Sequence, residues 1–274
     1  MALIRPQIWK RPSATSRTMS STTQHVAHSR VSALRFFENY CARERTFLKG
    51  KVVVDLSAGT GYIAHLFEQA GADVQLFDLV PEQNTYAQGR CLPIDLQKNF
   101  PLANGTADLA VCAETMEHLP NQFFFFQEAA RILKPGGTLL ITTPNTSSLR
   151  SRLAQFAMES EHYGHAAPNE LDAFVEWGGG KYFGKLFLSG LLRLRTLAAI
   201  NGLHLLQSHR SAASSTSVLL LVVYPLVWFL NVRVLRKQIR HEPHHANTFK
   251  QIFRYNLSLR TLLNKHLLLE FRKH

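Results

Sequence analysis

Apolar positions along the chain switch repeatedly between helical spacing and short continuous runs. Val31, Leu34 and Phe37, followed by Phe47 and Leu48, predict a leading helix. Lys51–Leu56 is an apolar run of strand length that breaks into Ser57-Ala58-Gly59-Thr60-Gly61. Tyr62, Ile63, Leu66 and Phe67 then mark a helix ended by Gly71, and Ala72–Phe77 reads as a second strand closing on Asp78. Further strands are predicted near Arg90–Ile94, over Ala107–Ala113 and over Thr138–Thr143. A helix over Gln122–Leu133 stops at Lys134-Pro135-Gly136-Gly137. Within that helix, the run Phe123–Phe126 is expected to face the sheet and a neighbouring helix. Such alternation predicts a doubly wound, mainly parallel α/β sheet.

After Pro144 the rhythm changes. Residues 145–187 form a long interval before the next predicted helix, Leu188–Asn201, and strands at Leu203–Ser208 and Ser217–Tyr224 would complete the sheet. Inserts of this length in a compact domain are usually binding loops or lids. This one holds His162, His165, Trp177-Gly178-Gly179-Gly180 and Tyr182-Phe183. The expected organisation is a basic, disordered arm over 1–30, a domain over 31–225 with an acceptor-side insert at 145–187, and an apolar, then basic, tail over 226–274.

Charge sharpens this division. Residues 1–35 carry six Lys or Arg and no acid, and residues 231–274 carry ten against Glu242 and Glu270. The rest of the chain, with 15 basic and 17 acidic residues, is close to neutral. Basic ends of this kind suit an anionic lipid surface, nucleic acid or an acidic substrate, or are simply solvated. Cys41, Cys91 and Cys112 are too widely spaced for a zinc ribbon or a disulfide framework, so they read as buried thiols in a reducing compartment. The first 30 residues have no apolar signal core. They are rich in Ser, Thr and Arg and free of acids, as in mitochondrial import segments, but Pro6 and Pro12 would break an amphipathic helix there. The expected location is cytoplasmic, peripheral at a membrane, with mitochondrial import as the other reading.

The candidate chemistry begins at the first turn. A strand that runs through a glycine-rich turn into a helix lets backbone approach a ligand closely and offers unpaired N–H groups to a negative group. Asp55 lies just before the turn, and Asp78, ending the next strand, is placed to accept from both ribose hydroxyls of an adenosine ligand. NAD is a competing ligand, although its third glycine is replaced here by Ala64.

The ordered series Val53–Gly61, Asp78, Asp95-Leu96, Ala107–Val111, Glu117-His118-Leu119, Arg131–Gly137 and Thr143-Pro144-Asn145 closely resembles the class I S-adenosylmethionine (SAM)-dependent methyltransferase family. The resemblance extends to the type 11 and ubiquinone-pathway O-methyltransferases. It covers Lys51–Asn145, and Leu188–Tyr224 by pattern only. It implies a seven-stranded Rossmann-like fold with SAM as cofactor. Asp55 and the turn residues Ser57, Ala58, Gly59 and Gly61 would hold the methionine end, Asp78 the ribose, and Asp95 with Leu96 the adenine edge. The family usually has glycine where Ser57 stands, so the turn requires Ser57 to keep a negative φ.

Methyl transfer from a sulfonium is an in-line displacement in which the protein mainly aligns and desolvates the acceptor. Glu117 and His118 are the candidate catalytic residues beside that acceptor. Glu114, Glu117 and His118, at i, i+3 and i+4, would share one face of a helix and form a candidate site for Mg²⁺, Mn²⁺ or Zn²⁺, with His162 or His165 as a further ligand. The pattern is similar to that of metal-dependent members of the family; in other members Glu-His-Leu only orders the acceptor loop.

Ala212–Leu230 is uncharged over a length that raises a membrane span. Pro225 divides it and a last strand is due at Val218–Tyr224, so the preferred reading is a strand followed by an apolar segment, Leu226–Leu230, and the basic run Arg233–Arg240 on a membrane surface. The function expected is methyl transfer to an O or N acceptor on a small molecule, saccharide or lipid-linked precursor. The alternatives are a metal-assisted RNA methyltransferase, which lacks the aromatic–basic alternation of an RNA platform, and a SAM-binding scaffold without turnover.

Overall fold

A computed structural model describes residues 22–87, 89–160, 169, 173–177 and 180–274. The predicted N-terminal arm falls outside these residues except for its last part, where α1 (Thr22–Arg43) already begins, followed by α2 (Arg45–Leu48). The sheet is built from β1 (Val52–Asp55), β2 (Asp73–Asp78), β3 (Leu92–Pro93), β4 (Ala107–Ala113) and β5 (Leu133–Pro144), with α3 (Tyr62–Gln69) and α4 (Gln122–Ile132) as crossovers. After β5 come α5 (Leu149–Met158), a hairpin of β6 (Phe174–Trp177) and β7 (Gly180–Phe183), α6 (Leu191–Ile200) and β8 (Leu203–Ser208). Then follow α7 (Ser215–Leu219), α8 (Tyr224–His241), α9 (Ala246–Leu257), α10 (Leu259–Leu263) and β9 (His266–Lys273).

Seven strands form one sheet in the order β3-β2-β1-β4-β5-β9-β8. β1 to β5 pair in parallel, whereas β9 runs antiparallel to both β5 and β8. The predicted Rossmann-like α/β class is therefore the observed one.

The last strand is not where it was expected. Ser217–Tyr224 is helical, passing from α7 through a 3-10 turn into α8, and the antiparallel strand is His266–Lys273. A continuous apolar run does not by itself distinguish strand from helix, and Pro225 falls in the first turn of α8, where its missing N–H costs nothing. β9 has the stronger claim to the sheet because Leu267, Leu268, Leu269 and Phe271 are fully buried between the helices of both faces. The sheet-bearing part of the chain thus runs past residue 225 to its last residues. The insert is also more ordered than a bare loop, since it contains α5 and the β6–β7 hairpin.

Alternate residues of each central strand feed two cores. One face gathers Val54, Leu139, Ile141, Leu267 and Leu269 under α4 and α6. Phe125 and Phe126 lie in this core as expected, while Phe123 is exposed. The other face gathers Val53, Leu140 and Leu268 under α1 and α3, where Phe37 packs edge-on against Phe67. The three cysteines are buried and unpaired.

Because β9 is antiparallel, its first residue lies at the carboxyl end of the parallel strands: His266 pairs with Pro144, the last residue of β5. Ligands of open α/β sheets bind at that edge.

Candidate functional site

The turn after β1 is built from backbone geometry. Gly59 and Gly61 adopt φ of +50° and +87°, and a Cβ on Gly61 would lie 2.7 Å from the side chain of Asn84. Either feature alone disfavours any other residue at Gly61. Ser57 keeps a negative φ, as the turn requires. Its hydroxyl accepts from the Ala113 amide at 2.9 Å, tying the turn to the end of β4. A glycine there could not make this link.

Asp78 organises the same turn. Its Oδ2 accepts from the Gly59 amide at 2.8 Å and its Oδ1 from the Val80 amide at 2.9 Å. A carboxylate has about four acceptor sites, so two remain. Asp55 is fully buried, with Oδ1 accepting from the Ser57 amide at 3.2 Å. Burial pushes its carboxyl up to about 7, the Ser57 amide opposes the rise, and the charge of Asp78 adds to it. Asp55 Oδ2 and Asn84 Nδ2 are buried polar atoms without a hydrogen-bond partner. Buried polar groups are seldom left unpaired without a functional reason, and here an unpaired acceptor and an unpaired donor flank one glycine turn. Together these residues fit the amino-acid and ribose ends of SAM. Asp95 lies in the next loop, where it accepts from the Gln97 amide and pairs with Lys98 at 3.1 Å, beside the buried Leu96.

Across the sheet edge lies a second polar cluster. Glu114 follows β4 with φ +50°, and Met116–His118 is a single 3-10 turn. The helix that would put Glu114, Glu117 and His118 on one face is therefore absent, and each meets a different partner. Glu114 Oε1 lies 3.3 Å from His266 Nδ1. Glu117 is fully buried, accepting from Thr143 Oγ1 at 3.0 Å and lying 3.4 Å from Lys185 Nζ. His118 Nδ1 lies 2.8 Å from the Phe183 carbonyl oxygen. Among the described residues no three His, Cys, Asp or Glu side chains converge as a metal-ligand set, so the expected metal site at Glu114, Glu117 and His118 is corrected. Glu117 faces Lys185 and Glu114 faces His266 instead. His162 and His165 lie outside the described residues.

The two carboxyls are driven apart. Burial raises Glu117 and the charge of Glu114 raises it further. For Glu114 burial is outweighed by the contact and charge of His266, aided by Lys185 and Thr142, and its value is lowered. The Phe183 carbonyl can only accept, so His118 Nδ1 carries a proton and the neutral ring presents Nε2 as an acceptor.

Asn84, Lys185 and His266 were not anticipated from sequence. Asn84 follows a 3-10 turn with no distinguishing pattern, and the other two reach the site only through the β7–α6 connection and β9.

Residues 32–179 match a family model described as a methyltransferase domain. Curated relatives include ubiquinone biosynthesis O-methyltransferases from Xanthomonas campestris, 29% identical over 150 residues, and Hydrogenovibrio crunogenus, 27% identical over 151 residues. Each match covers 48% of this chain and 63% of the relative, so the chain spans less than two thirds of the relatives it matches. Among solved structures, the magnesium protoporphyrin IX methyltransferase of Synechocystis with bound SAH superposes with a TM-score of 0.51 at 14% identity, over 94% of this chain and 90% of that one. The cyclase SpnF gives 0.50 at 16% identity, over 88% and 80%. Both likenesses are of fold alone.

Proposed function

This chain belongs to the methyltransferase-domain family, and on that premise we propose that it transfers a methyl group from SAM to a hydroxyl oxygen of a small, lipid-linked acceptor. The observation that carries the cofactor reading is the glycine turn bracketed by Asp55 and Asp78, with unpaired Asp55 Oδ2 and Asn84 Nδ2 beside it. The acceptor class rests on the relatives named for O-methylation in ubiquinone biosynthesis.

When bound, SAM supplies an activated methyl group, leaving the protein to hold the acceptor and remove its proton. Asp55 would hold the ammonium end of the cofactor, Asp78 its ribose hydroxyls, and Asp95 with Leu96 its adenine edge. A phenolic hydroxyl ionises near pH 10, so a neutral-pH acceptor arrives protonated. His118, with Nδ1 held by the Phe183 carbonyl, takes that proton at Nε2. Glu117 is buried beside it, with the exposed Lys185 ammonium 3.4 Å away.

The deciding experiment incubates the full chain with methyl-labelled SAM and three acceptors: a polyisoprenyl phenol, a saccharide and RNA. Label in the phenol is the expected result. Label in RNA or saccharide alone would overturn the acceptor class, and SAM binding without transfer to any acceptor would leave a scaffold.

Asp55 also makes SAM binding pH-dependent. With its carboxyl near 7 in the free protein, pairing with an ammonium requires loss of a proton. Calorimetry should show SAM affinity rising about fivefold from about pH 6 to about pH 7.5, with proton release near pH 6.5. Because the folded value lies above the unfolded one, the folded state binds more protons in the window between them. Stability of the ligand-free protein should therefore fall as pH rises from the ordinary carboxylate range to about 7. Asp55→Asn should flatten both profiles; a pH-dependent affinity that persists in that variant would remove Asp55 from the role.

A further inference from the structure

We propose that the helical segment Ser215–His241 docks the protein on an anionic lipid bilayer surface, lying in the interface without crossing it. This goes beyond methyl transfer and is tested without turnover. The segment is 27 residues long, and its most apolar 18-residue window has a mean hydropathy of 2.2 with none of it buried. Leu219, Val222, Leu226 and Phe229 fall at successive three- and four-residue steps, with Leu230 four beyond Leu226, so they form one outward stripe. Leu219 and Val222 are 77% and 80% exposed, and Phe156 on the neighbouring α5 extends the patch at 90%. Water-facing side chains of this size are costly in a soluble monomer unless something covers them.

Charge identifies the cover. The segment contains no acid, and Arg233, Arg236, Lys237 and Arg240 follow the apolar half, all exposed. Apolar insertion followed at once by a basic cluster complements an anionic leaflet, where neither signal alone holds firmly.

The tertiary structure decides between span and surface. Before the segment, Ser214 and Lys265 hold the chain to the domain through backbone bonds to Leu263 and Ala212. At its start, Ser217 Oγ accepts from the Arg150 amide at 3.3 Å. Midway, Asn231 Oδ1 accepts from Asn256 Nδ2 at 2.6 Å, and Arg152 donates to Asn256. Beyond it, α9 returns alongside α8, and its Tyr255 hydroxyl bonds to the Leu205 carbonyl of β8. A crossing helix would put residues 242–265 on the far side of the membrane and break every tie made by Tyr255, Asn256, Leu263 and Lys265. The apolar stripe from Leu219 to Leu230 is about 17 Å long at 1.5 Å per residue, roughly half the ~30 Å hydrocarbon core. That suits entry into one leaflet.

The test is co-sedimentation of the full chain with phosphatidylcholine vesicles, with and without about one third phosphatidylglycerol, at low and high salt. Truncation at Tyr224 is unsuitable because it removes β9. Two exposed-residue variants with unchanged melting temperature replace it: Phe229→Ser with Leu230→Ser, and Arg233→Ala with Arg236→Ala and Lys237→Ala. Binding is expected only with the anionic lipid and weakening as salt rises. The serine variant should bind more than tenfold less, and the alanine variant about a hundredfold less. No difference between the two vesicle types, or no binding to either, overturns the proposal. So does retention after alkaline wash, which marks a span, or a concentration-dependent dimer lost in the serine variant, which marks a second copy as the cover.

Discussion

Turnover of a His118→Ala variant is expected to fall by about 100- to 10,000-fold with SAM affinity unchanged, the range a positioned general base contributes. His118 lies on the 3-10 turn after β4, and its Nδ1 is committed to the Phe183 carbonyl. That bond fixes the ring and leaves Nε2 as the basic nitrogen. Removing the ring leaves an acceptor hydroxyl to lose its proton to water, so the loss should shrink as pH rises toward the acceptor's own ionisation. Single-turnover transfer measured over a pH series, with SAM binding followed separately, reads both quantities. A parallel loss of SAM binding would assign His118 to the cofactor loop, and an unchanged rate would remove it from catalysis. The carbonyl that orients the ring sits on the β6–β7 hairpin, so in the proposed role the insert would contribute to the chemistry through a backbone atom that no side-chain motif reveals.

Asp78→Ala is expected to weaken SAM binding by about 2–4 kcal/mol, roughly 30- to 1,000-fold. Two charge-assisted hydrogen bonds to ribose hydroxyls account for about 1.5–3 kcal/mol of this. The remainder comes from the turn, because the same carboxylate caps the Gly59 and Val80 amides and its loss frees the loop that must be in place for binding. Asp78→Asn keeps one acceptor oxygen and removes the charge, so it should lie between wild type and alanine. Calorimetry on variants shown to be folded by thermal melting gives the answer. Unchanged affinity in the folded alanine variant would show that Asp78 neither holds the ribose nor prepares the turn for SAM.

Much of the cofactor side was legible before any coordinates. A glycine turn between an apolar run and a helix, with acids at Asp55 and Asp78, has few physical uses, and β1 and β2 are neighbours in the sheet, so the turn and Asp78 meet at adjacent strand ends. Ser57 shows the limit of such reading. Its departure from glycine implies only a negative φ, whereas its hydroxyl also gives the turn a hydrogen bond from the Ala113 amide that glycine cannot make. The acceptor side was read less well. Helical spacing was assumed for Glu114, Glu117 and His118, but Glu114 takes a left-handed conformation and the following turn is too short to align the three. The single-chain pattern does not show that Lys185 and His266 arrive opposite the two carboxylates.

The sequence by itself determined the local events: apolar runs that must pair as strands, turns that need glycine, and a helical rhythm that covers the sheet. These follow from side-chain periodicity and backbone sterics within a few residues. Tertiary structure decided which of two apolar runs became the last strand, because only Leu267–Phe271 is buried on both faces between β5 and β8. That choice released Ser215–His241 to the surface and brought His266 to the carboxyl edge beside Glu114. Both outcomes depend on the β5–β9 pairing of residues more than a hundred positions apart. Long-range burial settles such pairings, and local pattern carries no record of it.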